Sequence, residues 1–148
     1  MEMLDLFRLM INKKASDLFV TVGIPPSLKV DGQIRPVKTD SLSAQAAREL
    51  AFSLMDESQR QSFEVNKDTN FAVNPESLGR FRVNVFQQQG QVGMVVRRIS
   101  SHIPSFEELN LPSPILEKIA LMRRGLVFFV GGTGTGKSST QAAVIGYR

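Results

Sequence analysis

A phosphate-binding loop is indicated near the C-terminus, where glycines, a lysine and a serine follow a fixed spacing. The stretch fits G-x-x-x-x-G-K-[ST], with Gly131, Gly136, Lys137 and Ser138 in the defining positions. Backbone N–H groups of a glycine-rich turn can wrap a polyphosphate because no Cβ blocks the approach. Lys137 would reach the β- and γ-phosphates, which makes it the first catalytic candidate, and the Ser138 hydroxyl would ligate Mg²⁺. The expected ligands are therefore a nucleoside polyphosphate and Mg²⁺. The predicted nucleotide-binding residues are Gly131, Gly132, Thr133, Gly134, Thr135, Gly136, Lys137, Ser138 and Ser139.

The residues on both sides of this loop fit the same chemistry. Residues 125–130 form a continuous apolar run, as expected of a buried parallel strand. From Ser138 to Ile145 the pattern predicts the start of a helix, whose positive dipole end would face the same anion. A glycine-rich turn without a ligand is the alternative, and the two flanks argue against it.

Composition limits the classes of protein that this chain can belong to. Its 148 residues suffice for one domain, or for one small domain and part of another. There is no cysteine, which excludes disulfides and cysteine-based metal sites. No apolar run approaches the length of a membrane span, and the N-terminus lacks the basic region of a secretory signal. The net charge is +4, but Lys and Arg are scattered, so nucleic acid is not a predicted partner and a nucleic-acid-dependent ATPase is disfavoured.

The first 99 residues are predicted to form an α+β domain, because helices and strands segregate instead of alternating. Asp31-Gly32 is a strong hairpin signal, and Phe81, Val83 and Val85 alternate with polar residues. Helices are predicted over 1–12, 43–55 and 57–66, with Ser43 as an N-cap, and strands over 18–22, 27–30, 33–37, 69–73, 79–87 and 92–99.

Residues 100–112 are interpreted as a linker, and residues 113–148 as the opening of an α/β P-loop domain. His102, within the linker, is expected to be a surface residue without a role. A helix is predicted over 114–123, with Ile115, Leu116, Ile119 and Ala120 facing inward. One parallel strand and one helix cannot make a sheet, and no residue here supplies the acid for Mg²⁺ or activates water. The chain is therefore expected to be truncated, and inactive alone.

Several stretches resemble a known family. They are residues 15–19, 23–30, 79–86 and 93–99, together with the loop and the helix that follows it. They resemble the twitching-motility ATPases of bacterial type IV pili, the PilT/PilU family, and within it the PilU branch more than the PilT branch. The resemblance implies a PAS-like N-terminal domain, a flexible linker and a RecA-like motor domain. It also implies a homo-hexamer or a hetero-hexamer with a related ATPase, on the cytoplasmic side of the inner membrane beside the pilus platform protein. There, ATP hydrolysis would drive pilus retraction.

The sequence departs from the commoner PilT pattern inside the loop. Gly132 stands where a proline is usual, Thr135 where a serine is usual, and Ser139 where a threonine is usual. None of these changes removes a donor that the phosphate cradle needs. The Asp box, Walker B and His box motifs of the family would lie beyond Arg148.

The resemblance further implies that arginines of the N-terminal domain approach the nucleotide. By motif position the candidates are Arg80, Arg82, Arg97 and Arg98, of which Arg82 and Arg97 join Lys137 as catalytic candidates. A guanidinium suits a γ-phosphate and the charge that develops during its transfer. Strand alternation predicts Arg80 and Arg82 on one face, and Arg97 and Arg98 on opposite faces. A solvated sheet face without a ligand is the alternative for all four.

Two other functions stay open. One is a type II secretion or pilus extension ATPase of the same superfamily, which is disfavoured because those chains usually carry a longer N-terminal region. The other is a non-enzymatic oligomerisation module formed by residues 1–99, with the phosphate loop as a passenger.

Overall fold

The chain forms two compact units, Met1–Ser100 and Ser101–Arg148. The computed structural model describes residues 2–75, 78–99, 102–132 and 134–148. Met1, Ser100, Ser101 and Thr133, which belong to the predicted first helix, linker and phosphate loop, therefore lie outside the described residues. The first unit contains α1 Met3–Asn12, β1 Asp17–Val20, β2 Ser27–Val30, β3 Gln33–Pro36, α2 Ala44–Phe52, α3 Glu57–Asn66, β4 Asp68–Val73, β5 Arg80–Gln88 and β6 Gln91–Ile99. The second contains α4 Ser113–Leu121 and α5 Lys137–Tyr147.

The first unit is built on a six-stranded sheet in the order β3-β2-β1-β6-β5-β4. Every neighbouring pair is antiparallel. β1 pairs with β6 in the centre, so the beginning and the end of this unit's chain are hydrogen-bonded to each other. The predicted α+β class of this unit is confirmed, and its predicted helices and strands are all present within a few residues.

Two tight turns set the register of the sheet. Asp31 and Gly32 have φ of 51° and 78°, and Gln89 and Gly90 have φ of 51° and 75°. Positive φ at both central residues is the geometry of a type I′ hairpin, whose twist matches that of the flanking strands. The hairpin at Asp31-Gly32 is confirmed as predicted. The turn after β5 uses Gln89 and Gly90 alone, because Gln88 already pairs with Gln91.

One face of this sheet is buried under the helices. Phe81, Val83 and Val85 are completely buried, as their alternation predicted. The Phe7 ring of α1 lies 4.4 Å from that of Phe81, centroid to centroid. Ser43 caps α2 as predicted, since its side chain accepts a hydrogen bond from the Ala46 N–H. The helices contribute Leu6, Phe7, Met10, Ala47 and Ala51 to the same core.

The second unit has a small core of its own, formed by Phe106, Leu116 and Ala143. The Phe106 ring packs on Tyr147 at 5.5 Å between centroids. Ile115 was predicted to face inward, but it is 60% exposed. The reason is that only the stripe of α4 that carries Leu116 and Ala120 is buried, so the opposite side of the helix has nothing to cover it.

The predicted strand over residues 125–130 is wrong for this structure. These residues form no ladder, and Leu126, Phe128 and Val130 are 77%, 76% and 90% exposed. A strand needs a neighbour for its N–H and C=O groups, and the described part of the second unit contains no strand at all. Among the described residues, no helix combines the length and the apolar character needed to cross a membrane.

Candidate nucleotide-binding site

The glycine-rich loop leads directly into α5, as its motif predicted. Gly136 is the N-cap, with a φ of 86° that side chains rarely adopt, and the helix begins at Lys137. The first N–H groups of a helix have no partner inside it, and the aligned peptides place about half a positive charge at this end. Loop and helix together therefore present donors and positive potential where a phosphate would lie.

Two donors close the loop on the Gly132 carbonyl. Thr135 donates from Oγ1 to this oxygen at 2.9 Å, and the Lys137 ammonium donates to the same oxygen. The Lys137 side chain thus folds over the loop instead of pointing to solvent. A phosphate oxygen carries more negative charge than a carbonyl, so it would compete for this ammonium.

A side chain at the first glycine of the loop would displace the Thr135 hydroxyl. A Cβ on Gly131 would lie 2.8 Å from the Thr135 Oγ1. A Cβ on Gly132 would meet nothing closer than the Thr135 Cγ2 at 3.8 Å, which is an ordinary contact. Of these two positions, only Gly131 could not accept a Cβ without a shift of the neighbouring Thr135 side chain. Thr135 supplies the atom that makes the approach close, a role that the sequence motif alone did not reveal.

Ser138 lies in the first turn of α5 and is exposed. Its hydroxyl makes no hydrogen bond to any part of the chain that the structure describes, so it is available as an oxygen ligand. No group of three or more His, Asp or Glu residues suitable for a metal occurs within the described ranges. Magnesium prefers oxygen ligands, so the Ser138 hydroxyl is the candidate ligand for the predicted magnesium ion in this chain.

The four candidate arginines lie on β5 and β6. Arg82 is directly opposite Arg97 in the β5–β6 pair, and Arg80 is opposite Ile99. Arg98 is opposite Phe81 and so lies on the side of the sheet that carries the core. We call the other side, which carries Arg80, Arg82 and Arg97, the outer face. The predicted alternation is confirmed, and the register adds that Arg82 and Arg97 are immediate neighbours.

Arg97 has a partner that sequence reasoning missed. Its Nε donates to Oδ1 of Asp17 on β1 at 2.8 Å, and the Ser16 hydroxyl donates to Oδ2 at 2.8 Å. Asp17 is only 4% exposed. Burial alone would raise the pKa of Asp17, but the hydrogen bonds from Arg97 and Ser16 and the charges of Arg97 and Lys29 outweigh it and hold the pKa below its ordinary value. The only sequence signal was that Asp17 lies in one of the family-like stretches.

Arg82 has no such partner. Its side chain is exposed, and within the described residues it makes no hydrogen bond or ion pair. The first unit contains two catalytic candidates, Arg82 and Arg97. Arg97 is paired with Asp17, whereas Arg82 has no partner among the described residues. Contact of either arginine with a nucleotide remains a prediction.

His102 lies on the surface of the second unit. Its Nε2 is 3.0 Å from Oε2 of Glu108, and the same carboxylate accepts from the Ser105 N–H at 2.8 Å. The hydrogen bonds from the Ser105 N–H and from His102 hold the pKa of Glu108 below its usual range. This arrangement closes the turn at residues 105–108.

Comparison with known proteins gives three close likenesses. No protein-family model matches the chain. The chain is 53% identical over 148 residues to the Type IV pilus ATPase PilU of Pseudomonas aeruginosa. It is 35% identical over 147 residues to the Type IV pilus retractation ATPase PilT of the same organism. A crystal structure of the pilus retraction motor PilT with bound ADP superposes with a TM-score of 0.84 at 37% identity.

The likeness extends along the whole of this chain but over part of each relative. It covers 100% of the chain and 38% of PilU, and 99% of the chain and 42% of PilT. The PilT structure is matched over 99% of this chain and 43% of its own length. The resemblance inferred from the sequence motifs is thus confirmed, and PilU is the more similar of the two relatives, as predicted.

Proposed function

Because the chain belongs to the PilT/PilU family of type IV pilus ATPases, we propose that it is the nucleotide-holding part of a motor that hydrolyses ATP to drive pilus retraction. ATP and Mg²⁺ would bind at Gly131 to Ser139. One observation carries this proposal: a Cβ at Gly131 would lie 2.8 Å from the Thr135 Oγ1 and would displace that hydroxyl, and the loop leads into a helix that begins at Lys137. The pilus retraction motor PilT crystallised with bound ADP, which supports a nucleotide as the ligand here.

Each residue of the loop has a distinct role in this proposal. Lys137 would exchange the Gly132 carbonyl for the β- and γ-phosphates and neutralise the charge that develops during transfer. Ser138 would hold the magnesium ion, which supplies further positive charge to the same phosphates. The backbone N–H groups of the loop and of the first turn of α5 would orient the phosphate chain without reorganising.

Arg82 and Arg97 are proposed to stabilise the γ-phosphate from the first unit. A guanidinium in this role adds charge that matters only during transfer. Arg82 is the stronger candidate, because the Arg97 guanidinium is already paired with the Asp17 carboxylate. In this proposal, residues 1–99 act as a PAS-like domain, residues 100–112 as the linker, and residues 113–148 as the opening of a RecA-like domain. The sheet of the first unit and the exposed run over 125–130 fit this division.

The assembly and its setting are proposed on the family resemblance. The motor would be a hexamer, of one subunit type or mixed with a related ATPase. It would work on the cytoplasmic side of the inner membrane against the pilus platform protein, without nucleic acid. The 148-residue chain alone is expected to bind nucleotide but not to hydrolyse it, because its described residues hold no acidic cluster beside Ser138.

Two alternatives make different predictions. A type II secretion or pilus extension ATPase would use the same loop, but its loss would leave cells without pili. Loss of a retraction motor would leave pili extended and cells unable to twitch.

The non-enzymatic module is favoured by one observation: the first unit has a complete core of its own. It predicts oligomers of the first unit that are indifferent to nucleotide.

The test is Lys137→Ala in a protein of the relatives' full length. ATP hydrolysis and twitching should both be lost, because Lys137 is the only lysine of the loop. Lys118→Ala, an exposed lysine on α4, is the matched control and should keep both activities. A Lys137→Ala protein that still hydrolyses ATP and supports twitching would rule out the motor proposal. Cells without pili after deletion of the gene would identify the extension class instead.

A further inference from the structure

A cleft of about 420 Å³ lies in the first unit between α1 and the β2–β3 hairpin, remote in sequence from the phosphate loop. This volume is within the range of about 300–1,000 Å³ that is usual for sites of small ligands. Its floor is apolar and consists of Leu9, Leu28, Val30 and Val37. Leu28 is buried and the other three are partly buried, so the cleft opens onto the edge of the core.

All the charged side chains that line this cleft are positively charged. Lys13, Arg35 and Lys38 line it, and no acidic residue does. Lys13 is the C-cap of α1, one turn after Leu9, and Arg35 pairs with Leu28 across β2 and β3. The three cations and the four apolar side chains therefore line the same cleft. We call this combination the basic cleft.

None of the three cations is neutralised by a carboxylate of the described residues. The Lys13 and Lys38 side chains make no hydrogen bond or ion pair with the residues that the structure describes. Arg35 donates to the neutral amide oxygen of Gln33 at 3.2 Å. The C-terminal end of α1 carries about half a negative elementary charge, which three full positive charges exceed. The cleft is therefore suited to an anion.

The shape favours an anion that has an apolar part. A free phosphate would use the cations and leave the partly exposed side chains of Leu9, Val30 and Val37 in water. An acidic peptide would bring polar backbone groups against the apolar floor, where they cost free energy without hydrogen-bond partners. Pro36, which also lines the cleft, is exposed and adds apolar surface to it. Basic residues combined with exposed apolar side chains are typical of surfaces that contact anionic bilayers.

We propose that the basic cleft binds an anionic phospholipid. The headgroup phosphate would contact Lys13, Arg35 and Lys38, with Arg35 able to donate two hydrogen bonds to it. The first methylene groups of one acyl chain would cover the apolar floor. The first unit would thereby contact the membrane surface directly, whatever the phosphate loop binds.

The test is co-sedimentation of the 148-residue chain with vesicles of phosphatidylcholine, with and without phosphatidylglycerol. Binding is expected only to vesicles that contain phosphatidylglycerol. The triple variant Lys13→Gln, Arg35→Gln, Lys38→Gln should bind about a hundredfold more weakly, since each basic residue near an anionic surface contributes about fivefold. All three side chains are exposed, so the variant is expected to fold, which circular dichroism would check.

A charge-matched control separates a site from general attraction. Lys118→Gln, Arg123→Gln, Arg124→Gln removes three exposed cations from the second unit. Both triple variants lower the net charge from +4 to +1, since each removes three positive charges. The control should keep its binding. Equal losses in the two variants would overturn the proposal.

Two further arms identify the ligand. Inorganic phosphate, added at constant ionic strength, should not release the chain from the vesicles, because it cannot cover the apolar floor. Release by phosphate would assign the cleft to a free anion and overturn the lipid proposal. Binding of poly-glutamate at the cleft with higher affinity than the vesicles would overturn it in favour of an acidic protein partner.

Discussion

Arg97 and Asp17 join β6 to β1 through an ion pair of 2.8 Å between residues 80 positions apart in the chain. Asp17 is almost fully buried, whereas the Arg97 side chain is 69% exposed. A buried carboxylate without a donor costs more than an exposed arginine without an acceptor. The main effect of the pair is therefore to satisfy the buried Asp17 carboxylate. This gives Arg97 a structural function that does not depend on a nucleotide.

Arg97→Ala should destabilise the first unit by about 1–2 kcal/mol at neutral pH. The pKa of Asp17 is lowered in the folded chain, so this contribution is present above the ordinary value of 3.8 and is lost as the pH falls through the lower folded value. Urea unfolding at neutral pH and at pH about 3 would measure the difference. Arg80→Ala, opposite Ile99, is the control. Equal stability of Arg97→Ala and the parent chain at neutral pH would contradict this function.

Arg82→Gln should have opposite effects on stability and activity. Arg82 lies directly opposite Arg97, and like charges in this position are destabilising. Removing the Arg82 charge should stabilise the 148-residue chain by about 0.2–1 kcal/mol. In a full-length protein the same change should lower the rate of ATP hydrolysis by on the order of tenfold or more, if Arg82 contacts the γ-phosphate. Thermal unfolding and steady-state hydrolysis measure the two effects, and an unchanged hydrolysis rate would remove Arg82 from the catalytic residues.

Gly131→Ala should weaken nucleotide binding without unfolding the chain. The new Cβ would lie 2.8 Å from the Thr135 Oγ1, so Thr135 must give up its hydrogen bond to Gly132. We expect a loss of affinity of at least about tenfold, as a displaced donor costs roughly 1.4 kcal/mol or more. Calorimetry with Mg-ATP would measure it. Gly132→Ala meets only an ordinary contact at 3.8 Å and should bind nearly as well as the parent chain; equal weakening by both changes would contradict the close-approach argument.

Residues 126–130 should gain protection when the chain continues into further strands. In the 148-residue chain these residues are outside any ladder and largely exposed, so their amides should exchange quickly with solvent. In a protein of the relatives' length, pairing with neighbouring strands should slow that exchange by several orders of magnitude. Hydrogen exchange with mass spectrometry compares the two. The amides of β5, already paired on both sides, are the internal control.

Local features of both units followed from the order of residues. The alternation of Phe81, Val83 and Val85 set which side of β5 is buried, and Asp31-Gly32 specified its hairpin. The glycine-lysine-serine spacing located the glycine-rich turn and the start of α5. These features depend on backbone sterics and on side-chain period within a few residues, which a sequence displays directly.

Contacts between distant residues were decided by the folded chain alone. Nothing near Asp17 in the sequence indicates its partner, and only the pairing of β1 with β6 places it against Arg97. The pairing of β5 with β6 made Arg82 and Arg97 neighbours, and the packing of α1 beside the β2–β3 hairpin created the basic cleft. An apolar run such as residues 125–130 is read as a buried strand from its composition, yet its state depends on whether other strands are present to pair with it. Register and packing join residues far apart in the chain, so no local pattern could reveal them.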